Sequence, residues 1–148
     1  MTVEPMKAEH LPALAELERL CFSQPWSAEA LREELTNPCA RFFTAQINGR
    51  PVGYIGCHFA ADEGDITNVA VHPDFRRRGI AGRLIDRLAE TARDEGIARI
   101  HLEVRASNRA AASLYESRGF CAVGIRPRFY SRPTEDAVLY TRRIKGDE

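Results

Sequence analysis

Residues 71–84 read Val-His-Pro-Asp-Phe-Arg-Arg-Arg-Gly-Ile-Ala-Gly-Arg-Leu. This segment joins an apolar, β-rich run at residues 65–71 to an amphipathic helical pattern that begins at Ile80. The N-terminus of a helix offers unpaired N–H groups and the positive end of its dipole, and Gly79 and Gly82 let an anion come close to the backbone. Three consecutive arginines add positive charge: Arg76, Arg77 and Arg78. The segment therefore predicts a site for a diphosphate.

The same letters are also compatible with a hydrated arginine run in front of an ordinary helix, because charge runs are usually solvent-exposed. Neither the dinucleotide-binding pattern G-x-G-x-x-G nor the ATP-binding pattern G-x-x-x-x-G-K-[ST] is present. Dinucleotide and ATP sites are thus disfavoured, and the diphosphate has to belong to another kind of ligand.

Length and composition predict one globular domain spanning residues 1–148, since a chain of this size buries about 68–70% of its unfolded surface. Lysine plus arginine and aspartate plus glutamate are equal, 21 against 21, so we expect no nucleic-acid or membrane partner. No apolar run approaches the roughly 18 residues of a membrane span, and no secretory signal is evident, which predicts a cytoplasmic protein. The four cysteines lack metal-ligand spacing and read as reduced thiols with no metal: Cys21, Cys39, Cys57 and Cys121.

The hydrophobic pattern predicts an α/β fold with a mixed sheet. Helices are expected behind Pro12, behind the N-cap candidate Ser27, from Ile80 to a stop at Gly96, and from about Asn108 to Ser117. Strands are expected at residues 41–47, 52–59, 65–71, 99–104, 120–125 and 136–143. Asn48-Gly49 favours a tight hairpin between the first two strands, and the 65–71 and 99–104 strands should be parallel, because a helix joins them.

Val71-x-Pro73-x-x-Arg76-x-x-Gly79-x-Ala81-x-x-Leu84 resembles the acetyl-CoA motif of the GNAT N-acetyltransferases, whose core pattern is Q/R-x-x-G-x-G/A. Four further stretches resemble its RimI subgroup, the ribosomal-protein-alanine N-acetyltransferases: residues 25–27, 102–108, 114–120 and 135–137. One departure is Phe129-Tyr130, where the subgroup pattern has two tyrosines. The resemblance covers nearly the whole chain.

The resemblance implies a GNAT fold, with about seven mostly antiparallel strands, splayed at a parallel pair and flanked by about four helices. It implies acetyl-CoA as co-substrate, with no metal. The acetyl-CoA contacts it implies are Val69, Ala70, Val71, Arg76, Arg77, Arg78, Gly79, Ile80, Ala81, Gly82 and Asn108.

For the chemistry, the resemblance makes Glu103 the general base that accepts the amine proton, directly or through a water, and Tyr115 the general acid for the thiolate of coenzyme A. Glu103 lies on the ionisable face of its strand, and an ordinary glutamate paired with Arg105 or Arg99 would fit that position as well. Tyr115 follows Asn108 by about two helical turns, so both can face one ligand. Without the resemblance, Tyr115 is compatible with a tyrosine packed in the core, and Asn108 with a helix N-cap.

The resemblance also implies the acceptor, the N-terminal amine of a ribosomal protein, with transfer by direct attack in a ternary complex. An α-amine with a pKa of about 8 costs about 1–1.4 kcal/mol to deprotonate at pH 7, against about 4–5 kcal/mol for a lysine amine. Trp26, Arg128 and Tyr130 are candidates for the peptide groove. Acetylation of another amine, a non-catalytic acyl-CoA-binding module and, least favoured, a nucleic-acid binder using the arginine clusters remain as alternatives.

Overall fold

The computed structural model describes residues 1–144, so the last four residues of the predicted 1–148 domain lie outside the described residues. The helices are α1 (Leu11–Cys21), α2 (Ala28–Glu34), α3 (Ile80–Asp94) and α4 (Arg109–Ser117), and two 3-10 turns cover Ala8–His10 and Pro73–Phe75. The strands are β1 (Thr2–Pro5), β2 (Ala40–Ile47), β3 (Arg50–Ala60), β4 (Glu63–Val71), β5 (Arg99–Arg105), β6 (Cys121–Tyr130) and β7 (Glu135–Arg143).

Local signals in the sequence set most element ends. The Ser27 hydroxyl accepts a hydrogen bond from the Ala30 N–H at 3.1 Å, which confirms it as the N-cap of α2. Asn48 and Gly49 have φ angles of 51° and 78°, the left-handed conformation that a tight hairpin turn requires between β2 and β3. Gly96, just past α3, has a φ of 77°, as expected of a helix stop.

All seven strands belong to one sheet, in the order β1-β2-β3-β4-β5-β7-β6. Every neighbouring pair is antiparallel except β4 and β5, which run parallel. Their pairing stops at Asp65 opposite His101, although β4 continues to Val71 and β5 to Arg105. The two strands therefore diverge and leave an open wedge, which confirms the mixed, splayed sheet with four flanking helices.

Helices cover both faces of this sheet. Leu84, Ile85 and Leu88 of α3 belong to one buried cluster, together with alternate sheet residues such as Phe43 and Ile55. On the opposite face, α1 and α2 pack against the neighbouring sheet residues Phe42 and Tyr54, using four buried leucines: Leu11, Leu14, Leu17 and Leu31. The alternation follows from the two-residue period of a strand, and it holds β4 rigidly between the two layers.

Two elements differ from the sequence expectation. β1 was not located, because its four residues Thr2–Pro5 carry no clear alternation and end in proline. β6 was expected to stop at residue 125 before a basic loop, but it continues to Tyr130 and includes Arg126 and Arg128. Its pairing with β7 is interrupted between Arg126 and Tyr130, so the extension is irregular and has no simple period.

Within residues 1–144, the helices are too short or too polar to traverse a lipid bilayer.

Candidate active site

A cleft of about 690 Å³ occupies the wedge where β4 and β5 diverge. Ile66 to Val69 of β4 line one side of it, and Leu102 to Arg105 of β5 line the other. Six of the predicted site residues border this cleft: Trp26, Val69, Glu103, Asn108, Tyr115 and Tyr130. The fold thus brings together side chains that are up to 104 positions apart in the sequence, Trp26 and Tyr130 being the extremes.

Glu103 lies on β5, and its side chain is 32% exposed toward the cleft. The partners that the sequence offered for it are engaged elsewhere: Arg105 pairs with Glu135 at 3.3 Å and Arg99 with Glu63 at 3.6 Å. The nearest cation to its carboxylate is Arg126 of β6, with Nη1 at 3.9 Å from Oε1. That distance is at the outer limit of an ion pair, so the carboxylate stays available as a proton acceptor.

Tyr115 projects from α4 into the cleft and is 7% exposed. Burial, and secondarily the neighbouring Tyr130, raises the pKa of its phenol above the ordinary value of about 10. The Phe120 ring meets it edge-on at 5.6 Å and fixes its orientation. Tyr115 is therefore a phenol that keeps its proton across the neutral range and can donate a hydrogen bond.

Tyr130 closes the cleft from the end of β6 and is half-buried. Burial raises the pKa of its phenol, and the negative charge of Glu103 adds to the effect, while Arg105 opposes it. The Arg105 guanidinium lies over the Tyr130 ring, 4.6 Å from its centre. Arg128, by contrast, is not part of the cleft lining; it is exposed, with a φ of 52° and its N–H donating to the Asp136 carboxylate at 2.9 Å.

The segment from residue 72 to residue 82, called the phosphate loop below, joins β4 to α3 and includes the first three residues of that helix. Gly79 is the N-cap of α3 with a φ of 76°, and a Cβ placed there would meet nothing within 4 Å. Since Gly79 has no side chain, no side-chain cap covers the first-turn amides of α3. Uncapped amides at the positive end of a 15-residue helix fit a diphosphate.

Two of the three arginines of the phosphate loop, Arg76 and Arg78, contact neighbouring protein groups, and Arg77 is exposed. Arg76 donates from Nε to the Val71 carbonyl at 3.3 Å and from Nη2 to the Cys21 sulfur at 3.4 Å. The Arg78 guanidinium lies 5.0 Å from the centre of the Phe75 ring. Main-chain N–H groups, more than these guanidinium groups, are thus presented for an anion.

Gly82 has a packing neighbour that the sequence did not indicate. The side chain of Arg118, which follows the end of α4, lies where a Cβ of Gly82 would be. The missing side chain therefore makes room for Arg118 on this face of the helix. Of the β4 residues carried over by resemblance, Val69 borders the cleft, while Ala70 is buried between the layers opposite Tyr54.

Asn108 is the N-cap of α4, because its Oδ1 accepts from the Ala111 N–H at 3.0 Å. It also borders the cleft, so the two readings of this residue are compatible.

Several residues that shape the cleft were not singled out by sequence reasoning. Glu18 of α1 borders it as a buried carboxylate, and Asn68 borders it from β4. Arg105 donates to the carbonyls of Ser131 and Pro133, both at 2.9 Å, and so holds the β6–β7 turn beside the cleft. The sequence gives one weak indication of a special role for Glu18: it lies among leucines on the apolar face of its helix, at a position where a charge is unusual.

One group of potential metal ligands occurs in the described part of the chain: Glu4, Glu9 and His10. His10 Nδ1 accepts from the Lys7 N–H at 3.0 Å, so the neutral ring carries its proton on Nε2, which faces Glu4 at 3.1 Å. A protonated nitrogen cannot ligate a metal, and the Lys7 ammonium, 3.4 Å from Glu4, adds like charge. The cluster therefore does not fit a cation.

Comparison with known proteins places this geometry in a family. Residues 11–120 match the acetyltransferase (GNAT) family. The [ribosomal protein bS18]-alanine N-acetyltransferase of Escherichia coli K12 is 34% identical over 144 residues, covering 93% of this chain and 94% of the relative. The N-alpha-acetyltransferase RimI of Mycobacterium tuberculosis is 39% identical over 139 residues, covering 90% and 85% of the two chains.

Among solved structures, the crystal structure of the ribosomal-protein-S18-alanine N-acetyltransferase from E. coli superposes with a TM-score of 0.89 at 32% identity. The superposition covers 97% of this chain and 93% of that chain. These matches span the wedge, the phosphate loop and α4 together, and they confirm the fold. The chain belongs to the GNAT acetyltransferase family, and it is an acetyl-CoA-dependent N-acetyltransferase of RimI-like type.

Proposed function

We propose that this chain acetylates the α-amine at the N-terminus of a protein, with the alanine of a bS18-type ribosomal protein as its natural acceptor. The observation that carries the proposal is the wedge between β4 and β5, where Glu103 and Tyr115 border one cleft. The relatives named for bS18-alanine acetylation support the choice of acceptor. A cytoplasmic location and a single domain stay predictions.

The donor acetyl-CoA would extend from the phosphate loop into the wedge. First-turn amides of α3 from Gly79 to Gly82 would receive its diphosphate, with Arg76, Arg77 and Arg78 adding local charge. The free edge of β4 beyond Asp65, residues 69–71, and Asn108 would contact the pantetheine arm. Of the main-chain acceptors there, the Val71 carbonyl already receives Arg76, which leaves Val69 as the better placed partner.

Acetyl-CoA supplies the acetyl group as an activated thioester. In the proposed reaction, Glu103 accepts a proton from the acceptor amine, whose nitrogen attacks the carbonyl carbon, forming the C–N bond as the C–S bond breaks. Tyr115 donates a hydrogen bond or proton to the departing sulfur. Because a phenol is a weaker acid than a thiol by about 1.5 pKa units, assistance during bond breaking is favoured over prior transfer.

Direct attack is favoured over a covalent acyl-enzyme. Cys21 is the thiol that borders the cleft, and its sulfur lies 3.6 Å from the Val71 carbonyl, to which it donates a hydrogen bond. The sulfur also accepts from Arg76 Nη2 at 3.4 Å, so it would have to give up two protein contacts to act as a nucleophile. Proton transfer from the acceptor to Glu103 costs little, since an α-amine needs only about 1–1.4 kcal/mol for deprotonation at pH 7.

The test compares two peptides that share an N-terminal alanine and one internal lysine, one with a free and one with a blocked α-amine. We expect acetyl-CoA-dependent mass gain on the free peptide only, with the modification mapped to the first residue by tandem mass spectrometry. Equal turnover on the blocked peptide would contradict the α-amine assignment.

Mass spectrometry of N-termini in cells with and without the protein then tests whether bS18 is the acceptor. An unchanged bS18 N-terminus would rule it out.

A further inference from the structure

The cleft has a buried charge that the proposed chemistry does not use. Glu18 lies in the last turns of α1 and is 1% exposed, although charged side chains are almost never fully buried unless their polar atoms are satisfied. It borders the cleft on the side of the loop that joins α1 to α2, residues 22–27, here called the α1–α2 loop. The hydrogen-bond partners of this carboxylate account for its burial.

Both oxygens of Glu18 receive hydrogen bonds. Oε1 accepts from the main-chain N–H of Trp26 at 2.9 Å. Oε2 accepts from the Tyr54 hydroxyl at 2.6 Å and from the Asn68 side-chain amide at 3.4 Å. The 2.6 Å distance is that of a charge-assisted hydrogen bond, and the negative charge of Glu18 contributes to the raised pKa of Tyr54, whose main cause is burial.

These partners belong to three separate parts of the molecule. Trp26 lies in the α1–α2 loop, and four residues of that loop border the cleft: Phe22, Ser23, Gln24 and Trp26. Tyr54 lies in β3, whereas Asn68 lies in β4, next to the irregularity that shifts the register with β3 between Gly56 and Cys57. One carboxylate thus ties a surface loop to two strands at the point where the wedge opens.

The loop has few other anchors of this kind. The Trp26 ring packs against Phe42 at 6.3 Å, and the Phe22 N–H completes α1 by donating to the Glu18 carbonyl at 2.9 Å. The Phe22 side chain itself is 41% exposed beside the cleft. Since surface loops are held by few contacts, loss of the Trp26 bond to Glu18 should let this wall of the cleft move.

We propose that Glu18 is a positioning residue for the acetyl acceptor: its buried carboxylate fixes the α1–α2 loop against β3 and β4 and thereby sets the cleft wall that the acceptor peptide contacts. This inference rests on the proposed function for its substrate. Glu18 does not touch the reacting atoms in this scheme. Its loss should therefore weaken acceptor binding and leave the chemical step nearly unchanged.

The first test is Glu18→Gln, which keeps the shape but removes the charge and one of the two acceptor oxygens, so that the side chain can no longer accept from the loop and from both strands together. We expect KM for the alanine peptide to rise about tenfold, kcat to change less than threefold, and the Kd of coenzyme A to stay constant. Glu16→Gln is the matched control, because Glu16 lies on the same helix but is exposed and bonds only to Arg19 in the described contacts. Tyr54→Phe removes the hydroxyl bond and spares the loop bond, so its peptide KM should change less than that of Glu18→Gln.

A second measurement does not depend on turnover. In hydrogen exchange followed by NMR, we expect the Trp26 amide to be protected in the wild type and to exchange at least tenfold faster in Glu18→Gln, while amides of α3 keep their rates. If Glu18→Gln does not fold, Glu18→Asp, which keeps the charge but shortens the reach, takes its place in both measurements.

Unchanged Trp26 exchange, or unchanged peptide KM, in a folded variant would overturn the inference. A fall in kcat with an altered pH profile would also overturn it, since Glu18 would then be handling protons. If the wild type turned over no free N-terminal peptide, the proposed function would fail, and the exchange data would still decide whether the tether exists.

Discussion

The phosphate loop and the cleft are built in opposite ways. In the phosphate loop, the groups proposed to bind the anion are main-chain amides of one continuous segment, left without a side-chain cap because Gly79 has no side chain. In the cleft, Glu103 comes from β5 and Tyr115 from α4. They border the same space because β4 and β5 diverge beyond Asp65. A site made of backbone depends on conformation, whereas a site made of side chains depends on particular functional groups.

This difference predicts whether a substitution impairs catalysis or coenzyme A binding. Changes at Glu103 and Tyr115 should lower kcat and leave coenzyme A affinity intact. Changes of backbone conformation in the phosphate loop should do the reverse. The following predictions test that separation.

The largest effect is expected for Glu103→Gln. Removing the proton acceptor should lower kcat about 100-fold, within the usual range for general-base catalysis, and leave the Kd of coenzyme A unchanged by calorimetry. Glu63→Gln is the control, because Glu63 lies at the closed end of the parallel pair and bonds to His101 at 2.6 Å. Wild-type kcat in Glu103→Gln would remove this residue from the mechanism.

Tyr115→Phe should lower kcat about tenfold, since the departing sulfur loses its donor. Because burial raises the pKa of Tyr115, the phenol keeps its proton beyond its ordinary value, and wild-type kcat should show no alkaline decline below about pH 10 from this group. Tyr140→Phe is the control, as that phenol bonds to Glu116 at 2.9 Å. A kcat decline near pH 8 that disappears in Tyr115→Phe would contradict the assignment.

Gly79→Ala tests the backbone side of the comparison. A Cβ at a φ of 76° introduces strain of about 1–2 kcal/mol, which should weaken coenzyme A binding up to about tenfold while kcat at saturation stays nearly constant. Gly49→Ala is a matched control: Gly49 has a φ of 78° and equally open surroundings, but it lies in the β2–β3 hairpin. Equal coenzyme A affinity in both variants would show that the phosphate loop does not bind the diphosphate.

The smallest effect concerns the β6–β7 turn. The Ser107 hydrogen bonds, chiefly, and Arg105 lower the pKa of Glu135 below its usual range. A carboxyl with a lowered folded pKa stabilises the protein above its unfolded pKa of about 4.3, and this contribution is lost as the pH falls through the folded pKa. Glu135→Gln should therefore have a lower Tm than wild type at pH 7, and the gap should shrink below about pH 4. Glu90→Gln controls for loss of a surface carboxylate, and a gap independent of pH would contradict the prediction.

Sequence reasoning located the elements with strong local signals. The α3 stripe, the Asn48-Gly49 turn, the Ser27 cap and the alternation of β5 each follow from interactions within a few residues. It missed β1, which is a strand only because it pairs with β2, and it ended β6 early, because pairing with β7 carries that strand across Arg126 and Pro127. Arg128 stays a prediction for the peptide groove; it is exposed and does not border the cleft.

By itself, the sequence determined the helix that opens at Gly79 and the chemical character of Glu103 and Tyr115, because these depend on local conformation and side-chain identity. Only the tertiary structure decided that Glu103 faces a cleft and does not pair with Arg99 or Arg105, that Arg118 fills the space over Gly82, and that Glu18 lies buried under the α1–α2 loop. The reason is physical: burial and pairing between residues far apart in the chain are properties of packing, and no local pattern encodes which distant group will be the neighbour.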